Sequence, residues 1–348
     1  MRGANWVGDA VMTLPALREL RRLLPGARLT LATRPWAEGV FEGADFIDDF
    51  IVTGESSSSP RALVGEARAW RARRFDLALL FPNAFAPALV AALARVPLRF
   101  GYATQGRGAL LTHRVGVPGW RGRRHEVFYY LNLVGELERQ LYGASTVEAR
   151  EPNTGLPVPD ARAREALHLL RENGARAGRP LVALCPGSTN SRAKRWPAER
   201  FAAVADMLAE RAGAEIVLVG SREESEISGE VARHMRARVV LLTGKTDLSQ
   251  TAAVLRAADL LVTNDTGPAH VAAAVGCPVV VIFGPTDPRT TRPFSASAQV
   301  VRRPPDCAPC MLRDCPIDHR CMTAITPDEV FERASRALAA ARKVEVAG

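Results

Sequence analysis

Three short loops in the second half of the chain carry side chains suited to holding a charged, hydroxyl-rich ligand. In Thr263-Asn-Asp265-Thr266-Gly267-Pro268-Ala-His270, an acid, a hydroxyl, a glycine and a histidine stand where an apolar strand gives way to an apolar helix. The exposed N–H groups of a helix start form an anion site. In Pro186-Gly-Ser188-Thr189-Asn-Ser-Arg-Ala-Lys194-Arg-Trp-Pro197, hydroxyls and backbone amides are suited to phosphate oxygens and a cation to their charge. The Gly-Lys-Ser/Thr ending of a Walker loop is missing. In Gly220-Ser221-Arg222-Glu223-Glu224, a glycine admits close backbone approach and an acid can accept from ribose hydroxyls. Gly284-Pro-Thr286-Asp287-Pro288 adds a turn beside them. Together these loops describe a nucleoside diphosphate site. Far from them in sequence, Gly3-Ala-Asn-Trp-Val-Gly-Asp9 puts a carboxylate at a helix start, where it either caps the helix or serves as a general base.

The elements around these loops alternate. Apolar strands begin near Pro180, Glu215, Val239, Leu260 and Val279, separated by amphipathic helices over residues 198–212, 224–236, 248–257 and 268–275. Continuous apolar strands of this kind form a parallel sheet covered on both faces, whose ligands bind beyond the carboxyl ends of the strands. The first half reads less clearly. Helical spacing over residues 10–24 leads to a strand over 28–33, and a second strand over 75–81 to a helix over 84–95. Residues 54–60 read as a serine-rich surface loop, residues 101–122 as basic and glycine-rich without periodicity, and Asp45, Asp48 and Asp49 as a surface turn. Most of a first strand is missing before the Asp9 loop: either the start is assigned too late or Arg2 to Ala4 is all that remains of it.

A chain of 348 residues suggests two domains. Prolines and a glycine at residues 151–160 form a linker, giving an N-terminal domain over 1–155, a C-terminal domain over 160–325 and a terminal helix over 326–343. The net charge of +9 rests on arginine, since Lys194, Lys245 and Lys343 are the only lysines. It suits a phosphate-bearing partner, although solvated arginine faces alone would produce it. No segment reads as a signal peptide or a membrane span, which gives a cytoplasmic expectation. Cys307-x2-Cys310-x4-Cys315, with His319 and Cys321, has spacing suited to a structural zinc or iron–sulfur centre, or to reduced cysteines in a proline-rich loop.

The opening Arg-Gly-Ala-Asn-Trp-Val-Gly-Asp-Ala-Val-Met-Thr-Leu-Pro-Ala-Leu, with Asn-Asp-Thr-Gly-Pro-Ala-His and Phe-Gly-Pro-Thr-Asp-Pro, resembles glycosyltransferase family 9, and within it the ADP-heptose:lipopolysaccharide heptosyltransferases of type II. The resemblance implies an α/β GT-B fold, two Rossmann-like doubly wound domains facing across a cleft, with acceptor bound by the first and donor by the second. It implies an inverting transfer with Asp9 as base. It implies donor contacts from Ser188, Thr189, Lys194, Glu224 (or Glu223), Asp265, Thr266, Gly267 and His270. The terminal helix is expected to return to the N-terminal domain. The implied donor is ADP-heptose and the acceptor the lipid A–Kdo/heptose inner core, met at the cytoplasmic face of the inner membrane. Arg107, Arg114, Arg121 and Arg123 are candidates for its anionic groups. No cofactor is expected for catalysis, no nucleic acid partner, and a monomer.

Other readings are a family 9 transferase with a different acceptor, or a silent nucleotide binder. A carboxylate at Asp9 favours an enzyme over a binder. Aromatic–basic interleaving of single-strand binders is missing, as is the G-x-G-x-x-G of a Rossmann dehydrogenase.

Overall fold

The computed structural model describes residues 1–54 and 59–347, with backbone alone for 341–347; part of the serine-rich segment therefore lies outside the described residues. The chain divides into two compact units, Met1–Thr154 and Gly155–Gly348.

In the first unit, β1 (Thr30–Thr33) pairs with β2 (Asp49–Val52), while β3 (Leu77–Leu80), β4 (Leu98–Tyr102) and β5 (His113–Val115) form a second ladder, all parallel. Arg2 joins the two ladders by bridging Ala32 and Leu80. Its amide donates to Leu79 O at 2.9 Å, that of Gly3 donates to Ala32 O at 2.8 Å, and the Met1 amino group donates to Thr30 O at 2.7 Å. The resulting order, β2-β1-(residues 1–3)-β3-β4-β5, is doubly wound, with residues 1–3 at its centre. Beside Met1, at the amino ends of β1 and β3, lies an open cavity of about 900 Å³ lined by Leu20, Leu24, Leu29, Leu77, Leu98 and Leu137.

The second unit holds β6 (Leu181–Cys185), β7 (Glu215–Leu218), β8 (Val239–Leu241), β9 (Leu260–Asn264), β10 (Val279–Phe283) and β11 (Ala298–Arg302) in the order β8-β7-β6-β9-β10-β11, all parallel. Every residue of β9 and β10 is buried, as expected for strands covered on both faces. The helices start and stop where the chemistry dictates. Asp247 and Gln250 form a reciprocal capping box for Leu248–Ala257, and Gly213, at φ 64°, ends Ala198–Ala212 in a left-handed conformation that favours glycine. The order reverses between β6 and β9, so the loops after these strands flank the ligand crevice of such a sheet.

Three elements add to the sequence reading. The terminal helix Pro327–Ala347 buries Val330, Ala334, Ala337 and Leu338 in the second unit's own core. Those positions lie at i, i+4, i+7 and i+8, a single apolar stripe. Asp49 is not on a turn but opens β2, pairing with Arg73 and with Arg28 at 3.6 Å, while Asp48 accepts from the Leu29 amide at 2.6 Å. Finally, a long helix, Glu126–Tyr142, follows the segment that showed no periodicity. The His125 ring caps it by accepting from the Val127 amide at 3.2 Å, and Gly143, at φ 81°, ends it.

Candidate active site

The reversal point of the second sheet collects a cation, an acid and a hydroxyl. After β6 the chain runs through Ser188 and Thr189 into a single 3-10 turn, Arg192–Lys194, which leaves Lys194 three-quarters buried. The Lys194 ammonium donates to Asp265 Oδ2 at 2.8 Å and to Asp265 O at 3.1 Å, immediately beyond β9. Thr286, beyond β10, donates to the same carboxylate oxygen at 2.6 Å. An ammonium has three donors, so two held by Asp265 leave the third for an anion. Asp265 thereby aims the cation, and Thr286 aims Asp265.

Neighbouring backbone is fixed to match. The Asn264 amide side chain donates to Pro186 O at 2.8 Å and accepts from the Trp196 amide at 3.1 Å, tying the end of β9 to both sides of the β6 loop. Arg195 grips Ser188 O at 3.1 Å. The helix Gly267–Ala274 begins at Thr266, whose side chain does not cap it, so its own cap does not occupy the first-turn amides. His270 is buried within the first turn of this helix.

Glu224, beyond β7, folds inward. Its carboxylate accepts from the Ser221 amide at 2.9 Å and from Thr189 Oγ1 at 3.4 Å, which joins the β6 and β7 loops. A Cβ at Gly187 would lie 2.3 Å from that carboxylate, so only glycine lets it reach this position. Glu223, the alternative register, stays exposed. Of the residues singled out in the sequence, Lys194 meets Asp265 and Thr189 meets Glu224, whereas Gly187, Asn264 and the role of Thr286 were not singled out. Polar residues one step either side of the obvious acids were the available signal.

In the first unit, Asp9 sits on the helix Val7–Met12, after the strand remnant and so at the reversal point of that sheet. Its Oδ1 accepts from the phenol of Tyr130 at 3.1 Å. Glu126 lies one turn before Tyr130, and Arg121 pairs with Glu126 at 3.4 Å while lying 3.5 Å over the Tyr129 ring. Burial raises the Glu126 carboxyl above its ordinary range, Arg121 opposes that and Asp9 adds to it.

Of the arginines proposed for an acceptor, Arg107 requires correction. It is fully buried, donating through Nε to Tyr102 O at 2.8 Å and through Nη1 to the carbonyls of Pro82 and Ala84. Desolvation lowers its guanidinium to about 10. It braces loops from inside and presents nothing to a ligand. Arg114 and Arg123 are exposed, the latter donating to Gly119 O at 2.6 Å, and Arg121 is half-buried.

The cysteines give no support to a structural metal. Cys307 and Cys310 are exposed, Cys315 half-buried and Cys321 buried, all as free thiols. Among the described residues no group of three His, Cys, Asp or Glu side chains converges to hold an ion. Instead the segment straps the loops that carry Lys194 and Thr286. Met311 N donates to Pro285 O and Ala193 N to Arg313 O, each at 2.9 Å, and the His319 ring lies 2.6 Å from Ala193 O, next to Lys194.

The profile of glycosyltransferase family 9 (heptosyltransferase) matches residues 66–320. The chain belongs to glycosyltransferase family 9. As a family 9 glycosyltransferase, it is 29% identical over 309 residues to lipopolysaccharide heptosyltransferase 2 of Escherichia coli (strain K12), covering 86% of each chain. The solved structure of the E. coli ADP-heptose lps heptosyltransferase II is similar at a TM-score of 0.79 and 26% identity, over 97% of both chains. A family 9 glycosyl transferase from Veillonella parvula superposes at a TM-score of 0.82 and 25% identity, over 97% of this chain and 95% of that one. The fold is accordingly of the GT-B class. No described helix is long and apolar enough to cross a membrane.

Proposed function

We propose that the protein transfers heptose from ADP-heptose to the Kdo/heptose inner core of lipopolysaccharide, with inversion. The observation that carries the reading is the Lys194–Asp265–Thr286 constellation at the reversal point of the second sheet, in a chain similar to heptosyltransferase 2 over most of its length. Lys194, the hydroxyls of Ser188 and Thr189, and the amides at Thr266 and Gly267 hold the donor's diphosphate, and Glu224 accepts from its ribose. Charge that accumulates on the departing ADP falls on a cation already in place, which stabilises an oxocarbenium-like transition state without reorganisation. Asp9 removes the proton from the acceptor hydroxyl as its oxygen attacks the anomeric carbon. Arg121 and Arg123 are the remaining candidates for the acceptor's anionic groups, together with Arg114.

The transfer needs no divalent ion, acts as a monomer and takes place at the cytoplasmic face of the inner membrane, where the acceptor's lipid is held. The test is transfer by purified protein from ADP-heptose to a Kdo-heptose acceptor, with and without EDTA, alongside calorimetry of ADP, UDP and GDP. Transfer that survives EDTA and an ADP preference are expected. A preference for UDP or GDP would replace the donor, and activity restored only by magnesium would overturn the metal-free mechanism.

A further inference from the structure

Tyr130 is an anomaly for a core residue. Its ring is enclosed, packed edge-on to Phe81 at 5.8 Å and against Tyr129 at 6.2 Å, a place phenylalanine would fill equally well. Yet it carries a hydroxyl, and that hydroxyl reaches 121 positions back along the sequence to Asp9. A buried hydroxyl is costly unless it has a partner, so its presence calls for a reason other than packing.

We infer that Tyr130 is a positioning residue for the proposed base: its phenol pins Asp9 Oδ1 and favours the ionised carboxylate. This rests on the reading of Asp9 given above.

Three observations support the inference. The phenol is a permanent donor, because burial first, and then the Asp9 and Glu126 carboxylates, push its ionisation well above the ordinary range. Its ring is buried and packs against Phe81, just beyond β3, and Tyr129. The bond reaches Asp9, on the short helix Val7–Met12, from the separate helix Glu126–Tyr142. Charged groups beside this pair include Glu126, on the same helix face as Tyr130, and Arg121 beside Glu126. Glu126 opposes a second negative charge nearby, whereas a phenol donor supports it. During transfer the acceptor's proton moves to Asp9 and the phenol keeps its own, so the hydrogen bond is strongest before transfer, when the base must be ionised.

The experiment compares Tyr130→Phe, Glu126→Gln and Asp9→Asn in transfer from ADP-heptose to the Kdo-heptose acceptor across pH, with thermal melts for each variant. For Tyr130→Phe, kcat should fall about tenfold or more and both KM values stay within about twofold. The acidic limb of kcat should move up by about one pH unit, because a carboxylate that loses a donor binds a proton more readily. For Glu126→Gln, loss of a neighbouring carboxylate should move the same limb down. If Tyr130→Phe lowers kcat with an unmoved limb, the residue is only structural and the inference fails. It fails equally if Tyr130→Phe behaves as wild type while Asp9→Asn is inert, an outcome that leaves the base intact. Should Tyr130→Phe not fold, an unmoved limb in Glu126→Gln overturns the electrostatic half by itself. Turnover near wild type in Asp9→Asn would remove the base, and the positioning role with it.

Discussion

The ammonium of Lys194 lies 2.8 Å from the carboxylate of Asp265, an ion pair formed between the loops that follow two adjacent strands. The pair is poorly exposed, so each partner depends on the other to offset lost hydration. For Lys194→Ala we expect ADP affinity to fall about ten- to a hundredfold, the range for a charge-assisted hydrogen bond of about 1.5–3 kcal/mol. Titration calorimetry checks this, and equal affinity in wild type and variant would disprove the donor assignment.

Thr286→Val retains the shape of the side chain and deletes only the donor to Asp265. Without it, the carboxylate is satisfied by Lys194 alone and holds the ammonium more firmly. ADP binding should weaken a few-fold, and stability should fall by about 1 kcal/mol. An unchanged Kd would show that Asp265 needs no second partner.

Gly187→Ala drives a methyl group into the Glu224 carboxylate. Because that carboxylate is pinned by the Ser221 amide, it must leave the joint between two loops to relieve the overlap. Overpacking of this kind costs about 1–3 kcal/mol. ADP affinity should drop about tenfold, and the double variant with Glu224→Ala should recover thermal stability without recovering affinity. Recovery of both would argue against Glu224 as a nucleotide contact.

Glu138 offers a pH test in the first unit. Burial opposes its ionisation, but hydrogen bonds from Arg22, Ser145 and the Thr146 amide outweigh that and hold its carboxyl at about 2. Since the unfolded value is higher, its contribution is full above about pH 4.5 and is lost as pH falls toward 2. One pKa unit corresponds to about 1.4 kcal/mol, and after discounting for relaxation we expect Glu138→Gln to cost about 2 kcal/mol at neutral pH. In urea melts the gap to wild type should close below pH 4.5; a constant gap would assign the loss to packing instead.

The second unit was the more legible in sequence for a physical reason. Strands such as β9 and β10 are buried on both faces and therefore appear as unbroken apolar runs, so the loops at their ends stand out. The first unit hides its elements. The strand β5 has three residues, β2 begins on an acid, and the Glu126–Tyr142 helix buries so much of its circumference that no polar face marks its period. Tyr130 was out of reach because its meaning lies in a contact formed only after the chain folds. Arg107 misled because a basic, glycine-rich stretch resembles a solvated loop, whereas here carbonyls of neighbouring turns draw the guanidinium inward.

The cysteine-rich strap has one further consequence. Its hydrogen bonds to Ala193 and Pro285 attach it to the residues that flank Lys194 and Thr286, so order in one is order in the other. Coupling free energies are reciprocal, so nucleotide that steadies the loops is expected to quiet the strap as well. The exposed thiols of Cys307 and Cys310 offer the measurement. Saturating ADP should slow their alkylation, while Lys194→Ala should mute that protection at the same nucleotide concentration, and a rate indifferent to ADP would show the strap to be uncoupled.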